Sequence, residues 1–168
     1  MSRRLILMRH AKSSWKFPEL DDHQRPLNKR GKRDAPRMAD ALESRGWWPQ
    51  RVLSSDAVRT LQTWARMAEG HPTCELVSDP GLYMAGAQQV QALARDTPDR
   101  IGTLLVLGHN PGWEMALTWL CGARDPMTTA NAALLLSEAG TWQQAFESPG
   151  GFALEALLRP KELPPSSS

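Results

Sequence analysis

The sequence predicts an α/β protein, a three-layer sandwich with a mostly parallel central sheet and helices on both faces. Three observations carry this. Short apolar runs alternate with segments of helical periodicity along nearly the whole chain, the pattern of strands joined by crossover helices. Two of those runs, "LILM" at Leu5 to Met8 and "LLVL" at Leu104 to Leu107, are continuously apolar, as strands buried on both faces of a parallel sheet must be. The length, 168 residues with 41% hydrophobic and 23% charged, suits one globular domain.

The first strand, within "LILMRH", ends on Arg9 and His10. A polar connection, "HAKSSWKFPELDDHQRPLN", follows, its Pro18, Asp21, Asp22 and Pro26 marking loop and turn. It is long for a structureless loop, which makes its basic residues candidates for substrate contact. Asn28 reads as the N-cap of a helix running to about Arg45, with Ala35, Met38, Ala39 and Leu42 on one face and Gly46 as its stop. Pro36 should kink this helix or mark a late start. "RVLSS" is a second strand, and Asp56 is read as the cap of a helix to about Glu69 with Val58, Leu61, Ala65 and Ala68 as its core stripe. Arg59 falls in its first turn. "CELVSDPGLY" holds a third short strand and a turn at Pro80-Gly81, before a helix around Gln88 to Arg95. The strand Leu104 to Leu107 then stops at Gly108 and delivers His109. Pro111 suits the first turn of the next helix, whose stripe is Trp113, Ala116, Leu117 and Leu120. Strands at Ala132 to Leu136 and Phe152 to Leu158 complete the expected single domain, 1–160, and 161–168 is expected to be a frayed tail.

Composition excludes several classes. Twenty cations against eighteen anions leave a net charge of +2, no electrostatic footprint for nucleic acid. No apolar run is long enough to span a membrane, and the apolar core of "MSRRLILMRH" is too short for a signal peptide, so a soluble, cytoplasmic protein is expected, with neither nucleic acid nor membrane as partner. Cys74 and Cys121 lie in no metal or redox spacing and read as free buried thiols. His23 and His71 fall in loops and read as solvated. Trp15, beside the first histidine, is a candidate for lining a pocket.

The two apolar strands end alike, "LILMRH" and "LLVLGH". If they are neighbours in a parallel sheet, His10 and His109 emerge at one edge despite standing ninety-nine positions apart, at the carboxyl ends of strands where open α/β sheets collect ligands. Arg9 and Arg59 complete the set. Two guanidiniums that grip oxygens in pairs make a cradle for a tetrahedral dianion such as phosphate or sulfate. A neutral imidazole can attack phosphorus through one nitrogen while a backbone carbonyl holds the other, forming a phosphohistidine. A second, protonated imidazole offsets charge growing on the phosphoryl oxygens. With protein cations in that role, neither metal nor cofactor is expected.

"RHAKSSW", "SSDAVRTLQT" and "LGHNPG" resemble the three signatures of the histidine phosphatase superfamily, the phosphoglycerate-mutase-like fold. The short chain, "DDHQRPLNKRG", "GLYMA" and "GHNPG" most resemble the SixA-type phosphohistidine phosphatases, over about residues 4–160. The resemblance implies that His10 is the nucleophile and that Arg9, Arg59 and His109 hold the phosphoryl group. The mutase branch carries glycine after the first histidine and asparagine six positions after it, where this chain has Ala11 and Lys16. Lys16 and Arg25 of "RPLN" could add charge at the phosphate or be solvated loop residues.

Ester-cleaving relatives place a carboxylate between the positions of Arg59 and His109. Asp79 is the candidate general acid closest to the expected loop, though Asp-Pro is also an ordinary turn. A site without a good acid fits a phosphoramidate, because an imidazole leaving group asks far less of an enzymic acid than an alkoxide does. Only forty-nine residues lie between Arg59 and His109, little room for an inserted lid. An uncovered site can admit a phosphorylated side chain of another protein. The expected function is thus a metal-independent phosphatase acting on phosphohistidine-containing proteins of phosphorelay or phosphotransfer type. Phosphatases of small phosphoesters or nucleotides, and a non-catalytic module binding phosphorylated partners, are the alternatives.

Overall fold

The computed structural model describes residues 2–164. Strands β1 (Arg3–Arg9), β2 (Arg51–Ser54), β3 (Glu75–Ser78), β4 (Thr103–Gly108), β5 (Ala132–Ser137) and β6 (Ala153–Leu158) form one sheet in the order β3-β2-β4-β1-β5-β6. β3, β2, β4 and β1 are parallel neighbours, β5 pairs antiparallel with both β1 and β6, and so β5 alone runs against the rest. The mostly parallel sheet is therefore as expected.

The two apolar runs sit at its centre because both faces are covered. Leu5 and Leu7 of β1 pack with Leu104 and Val106 of β4 against α3 (Ala87–Ala94), α4 (Gly112–Cys121) and α5 (Trp142–Ala145). Ile6, Met8, Leu105 and Leu107 face the other way, onto α1 (Lys29–Ser44) and α2 (Val58–Ala68). All eight side chains are fully buried, each contributing roughly 1.5–3 kcal/mol of transfer free energy. This anchors the ends of β1 and β4 to the buried centre of the sheet. β3 is an exposed edge strand, tied to β2 by a bidentate pair from Arg51 to Glu75 at 2.9 and 3.0 Å.

Helix α1 begins as the sequence implies, with Asn28 Oδ1 accepting from the Gly31 amide at 2.9 Å and Gly46 turning left-handed at φ 75°. Pro36 does not delay its start; the helix runs on through it to Ser44.

Helix α2 departs from expectation in two ways. Its N-cap is Ala57, and Asp56 instead binds His23 at 2.8 Å. Its buried residues are Arg59, Thr60, Thr63, Trp64 and Met67, while Ala65 of the expected stripe is exposed. The periodicity of Val58, Leu61, Ala65 and Ala68 misassigns the face because polar residues are buried here with partners: Thr63 Oγ1 accepts from the Ala11 amide at 3.0 Å and Thr60 Oγ1 donates to the Ser55 and Ala57 carbonyls.

Three smaller expectations are also corrected. Cys74 and Cys121 are free but only half-buried. His71 is not solvated; it lies between Asp40 and Glu43 and stacks on Trp48, and His23 pairs with Asp56. At the boundary expected near residue 160, Pro160–Glu162 form a 3-10 turn and the Leu163 carbonyl accepts from Arg37; of the tail expected over 161–168, residues 165–168 lie outside the described residues. Among the described residues, no helix is long and apolar enough to cross a membrane.

Candidate active site

β1 and β4 run in parallel register with Arg9 opposite Gly108, so the chain leaves the sheet at His10 and His109 side by side. Their rings lie 5.2 Å apart between centroids. His10 is clamped by its own backbone: its amide donates to the Gly108 carbonyl at 3.0 Å, and its Nδ1 lies 2.7 Å from the Ala11 carbonyl. A carbonyl only accepts, so Nδ1 carries the hydrogen and Nε2 presents its lone pair to the cleft. Arg59 Nε approaches that Nε2 at 3.4 Å, and His109 Nε2 bonds Ser55 Oγ at 2.8 Å.

Two glycines of "LGHNPG" permit this assembly. A Cβ on Gly108 would enter the indole of Trp113, which packs across the strand end, and one on Gly112 would strike the Ala85 carbonyl. The second approach brings the "GLYMA" segment against the start of α4, and with it Tyr83, whose ring meets His109 edge-on at 5.4 Å.

Arg59 is 5% exposed although it sits in the first turn of α2, where the helix dipole disfavours a cation. Asp22 compensates: Arg59 Nη1 donates to its carbonyl at 2.6 Å and Nη2 to its Oδ2 at 3.0 Å. The same Oδ2 accepts from the Tyr83 hydroxyl at 2.5 Å, and Oδ1 accepts from Arg25 Nε at 3.1 Å. Arg25 also donates to Ser13 Oγ and lies flat on the Trp15 ring at 3.5 Å. Arg9 donates to the Met127 carbonyl, which also accepts from Asn110 Nδ2, while Glu114 Oε2 accepts from the Met127 amide.

These surroundings set the charges. Burial, reinforced by His109 and the two arginines, pushes the His10 imidazole down to about 3 against the hydrogen bond to Ala11. Burial and the positive charge of Arg59 push His109 down to about 4. Both are therefore neutral, which for His10 is the nucleophilic form. Partial burial opposes ionisation of Asp22, but hydrogen bonds from Tyr83 and Arg59, the charge of Arg59 and the bond from Arg25 outweigh it and hold its carboxyl at about 2. Burial, and the hydrogen bond to Asp22, raise the Tyr83 hydroxyl. An arriving phosphoryl dianion reverses the local sign, favouring a proton on His109 where its charge faces the phosphoryl oxygens.

The cleft has a volume of about 930 Å³, and its lining includes Arg9, His10, Arg25, Arg59, His109 and Trp15. Two candidates fall elsewhere. Lys16 is exposed on the loop outside the cleft, and Lys12 lines it instead. Asp79 is not in the lining either: its Oδ1 caps the turn at Pro80–Leu82 by accepting from the Gly81 amide at 2.7 Å. Asp-Pro here acts as turn chemistry, so the expected general acid is turned away from the site. Sequence reasoning missed Asp22, Tyr83 and Ser55. The first two stand in "DDHQRPLN" and "GLYMA", segments that were visible as motifs without showing which side chain enters the cleft.

An open α/β sheet with imidazoles and guanidiniums at its strand ends defines a phosphoryl-handling enzyme. Residues 5–100 match the histidine phosphatase superfamily (branch 1). An uncharacterized chloroplastic protein of Arabidopsis thaliana is 43% identical over 173 residues, covering 95% of this chain and 79% of that protein. A SixA-type structure from Nakamurella multipartitia superposes with a TM-score of 0.81 at 25% identity, covering 95% of this chain and 97% of that one. The protein histidine phosphatase SixA complexed with tungstate shares the fold at a TM-score of 0.76 and 21% identity, covering 94% and 97% of the two chains. The chain belongs to the histidine phosphatase superfamily, is similar in fold to the SixA structures, and is a phosphatase.

Proposed function

We propose that this phosphatase removes phosphate from phosphohistidine on proteins, through a covalent phosphohistidine at His10. One observation carries the reading: the cleft carboxylate, Asp22, accepts from Arg59, Tyr83 and Arg25, which hold it ionised with no proton to give, and the sequence's candidate acid, Asp79, spends its Oδ1 on the Gly81 amide. An alkoxide leaving group needs a proton donor, whereas imidazole leaves near neutral pH with little help. In the first step the His10 Nε2 lone pair attacks phosphorus. Arg9 and Arg59 grip the equatorial oxygens, and a protonated His109 offsets their charge. In the second step water attacks phosphorus, the phosphorus–nitrogen pair returns to Nε2, and both water protons end on the released phosphate. The open cleft, rimmed by exposed Trp15, Met84 and Met115, suits a phosphorylated side chain on a protein surface.

The test is incubation with a phosphorylated histidine phosphotransfer domain and, separately, with glycerol 1-phosphate, an alkyl ester whose alkoxide needs a proton donor, trapping acid-labile phosphoenzyme. Label on His10 from the first donor and far less from the second is expected, with none in His10→Ala. Label from glycerol 1-phosphate alone, or full turnover by His10→Ala, would overturn the reading.

A further inference from the structure

We propose that Asp22 is a specificity-determining residue: its carboxylate accepts a hydrogen bond from the distal ring N–H of a phosphohistidine substrate, selecting an imidazole leaving group. This rests on the substrate reading above.

Arg59 Nε is 3.4 Å from His10 Nε2, and Arg59 Nη2 is 3.0 Å from Asp22 Oδ2, so one guanidinium separates nucleophile from carboxylate. The Arg59 side chain is 6% exposed and that of Asp22 is 50% exposed. Asp22 therefore sits on the mouth side of the phosphate clamp, the side a leaving group occupies when His10 attacks from the floor in line. Oδ2 is taken up by Arg59 and Tyr83, but among the described residues Oδ1 accepts only from Arg25 Nε at 3.1 Å and keeps acceptor capacity. The ionised carboxylate cannot donate a proton, yet it is a strong acceptor for a cationic N–H.

The chemistry balances without an enzymic acid. A phosphohistidine ring protonated on its distal nitrogen carries a positive charge. As the His10 Nε2–phosphorus bond forms, the pair of the old phosphorus–nitrogen bond passes to the leaving ring nitrogen, and the ring departs as neutral imidazole with its proton still on the distal nitrogen. Asp22 would then do for the leaving imidazole what the Ala11 carbonyl does for the attacking one, which it holds by Nδ1 at 2.7 Å. The negative charge also keeps the substrate ring protonated to higher pH, by about one unit for an opposite charge at this range. An ester has no such N–H and gains nothing.

Asp22→Asn separates this role from simple support of Arg59 and Arg25, which would affect all substrates alike. The measurement is kcat/KM on N-acetyl phosphohistidine and on p-nitrophenyl phosphate, each across pH, with urea unfolding as a check on the fold. The expected result is a drop of about tenfold in the ratio of the two kcat/KM values, the effect of one charge-assisted hydrogen bond. The alkaline limb for phosphohistidine should also move about one unit lower, with part of both recovered in Asp22→Glu. A proportional loss on both substrates with the alkaline limb in place would overturn the proposal and leave the substrate reading standing. A wild-type enzyme that hydrolyses p-nitrophenyl phosphate and leaves phosphohistidine untouched would overturn both, and wild-type rates alone reveal it.

Discussion

Lowering the pH from about 7 to about 4.5 sets the two imidazoles of the cleft against their surroundings. Unfolded, each takes a proton near its ordinary value of 6.5; folded, His10 resists until about 3 and His109 until about 4. The folded state thus binds fewer protons than the unfolded state across this window, so stability falls as pH falls. At pH about 4.5 the unfolded state gains roughly 2.7 kcal/mol per histidine, at 1.36 kcal/mol per pH unit over two units, and the folded state gains almost nothing. The two together cost about 5 kcal/mol, comparable to the whole stability of many domains. Urea unfolding followed by tryptophan fluorescence at both pH values would show it as a large drop in midpoint. His10→Gln with His109→Gln should remove most of that pH dependence. An equal loss in the double variant would refute the reasoning, placing the acid-labile groups outside the cleft.

Arg59→Lys replaces a fork that engages several oxygens by a point charge, and should lower kcat/KM by about a hundredfold while leaving the unfolding free energy in urea within about 1 kcal/mol of wild type; unchanged turnover would remove Arg59 from the phosphate clamp. Gly108→Ala drives a methyl into the Trp113 indole and should cost about 1–3 kcal/mol in urea unfolding, with turnover falling as His109 shifts; a neutral result would mean the indole has room to move. Asp79→Ala should cost about 1 kcal/mol as a lost cap while leaving phosphohistidine turnover within about twofold; a collapse in turnover would restore Asp79 as the acid.

Some of this protein is legible without coordinates because the signals are local and strong. Continuous apolar runs such as "LILM" and "LLVL" can be stable only where both sheet faces are covered, which set the parallel core and the strand ends. Arg9, His10 and His109 follow immediately from those ends, and Asn28 and Gly46 bound α1 by cap chemistry within a few residues. Arg59 was found by the motif around it and by its place in a first helical turn.

The tertiary structure decided what depends on which surface a loop or helix offers to the rest of the chain. The α2 stripe was misread because hydrophobic periodicity counts Arg59, Thr60 and Thr63 as polar and therefore outward, whereas partners across the fold bury them. Asp22 and Asp79 both stand in turn-like sequence, Asp-His-Gln and Asp-Pro-Gly, and composition gives no reason to prefer either. One is drawn into the cleft by Arg59, Tyr83 and Arg25, arriving from three separate segments; the other spends its oxygen on an amide two residues away. The sequence by itself determined a parallel sheet, the edge where its strands end and the four groups, Arg9, His10, Arg59 and His109, that gather there. Only the tertiary structure decided which carboxylate lines the cleft, because that choice lies in long-range ion pairing, which no local period or spacing encodes.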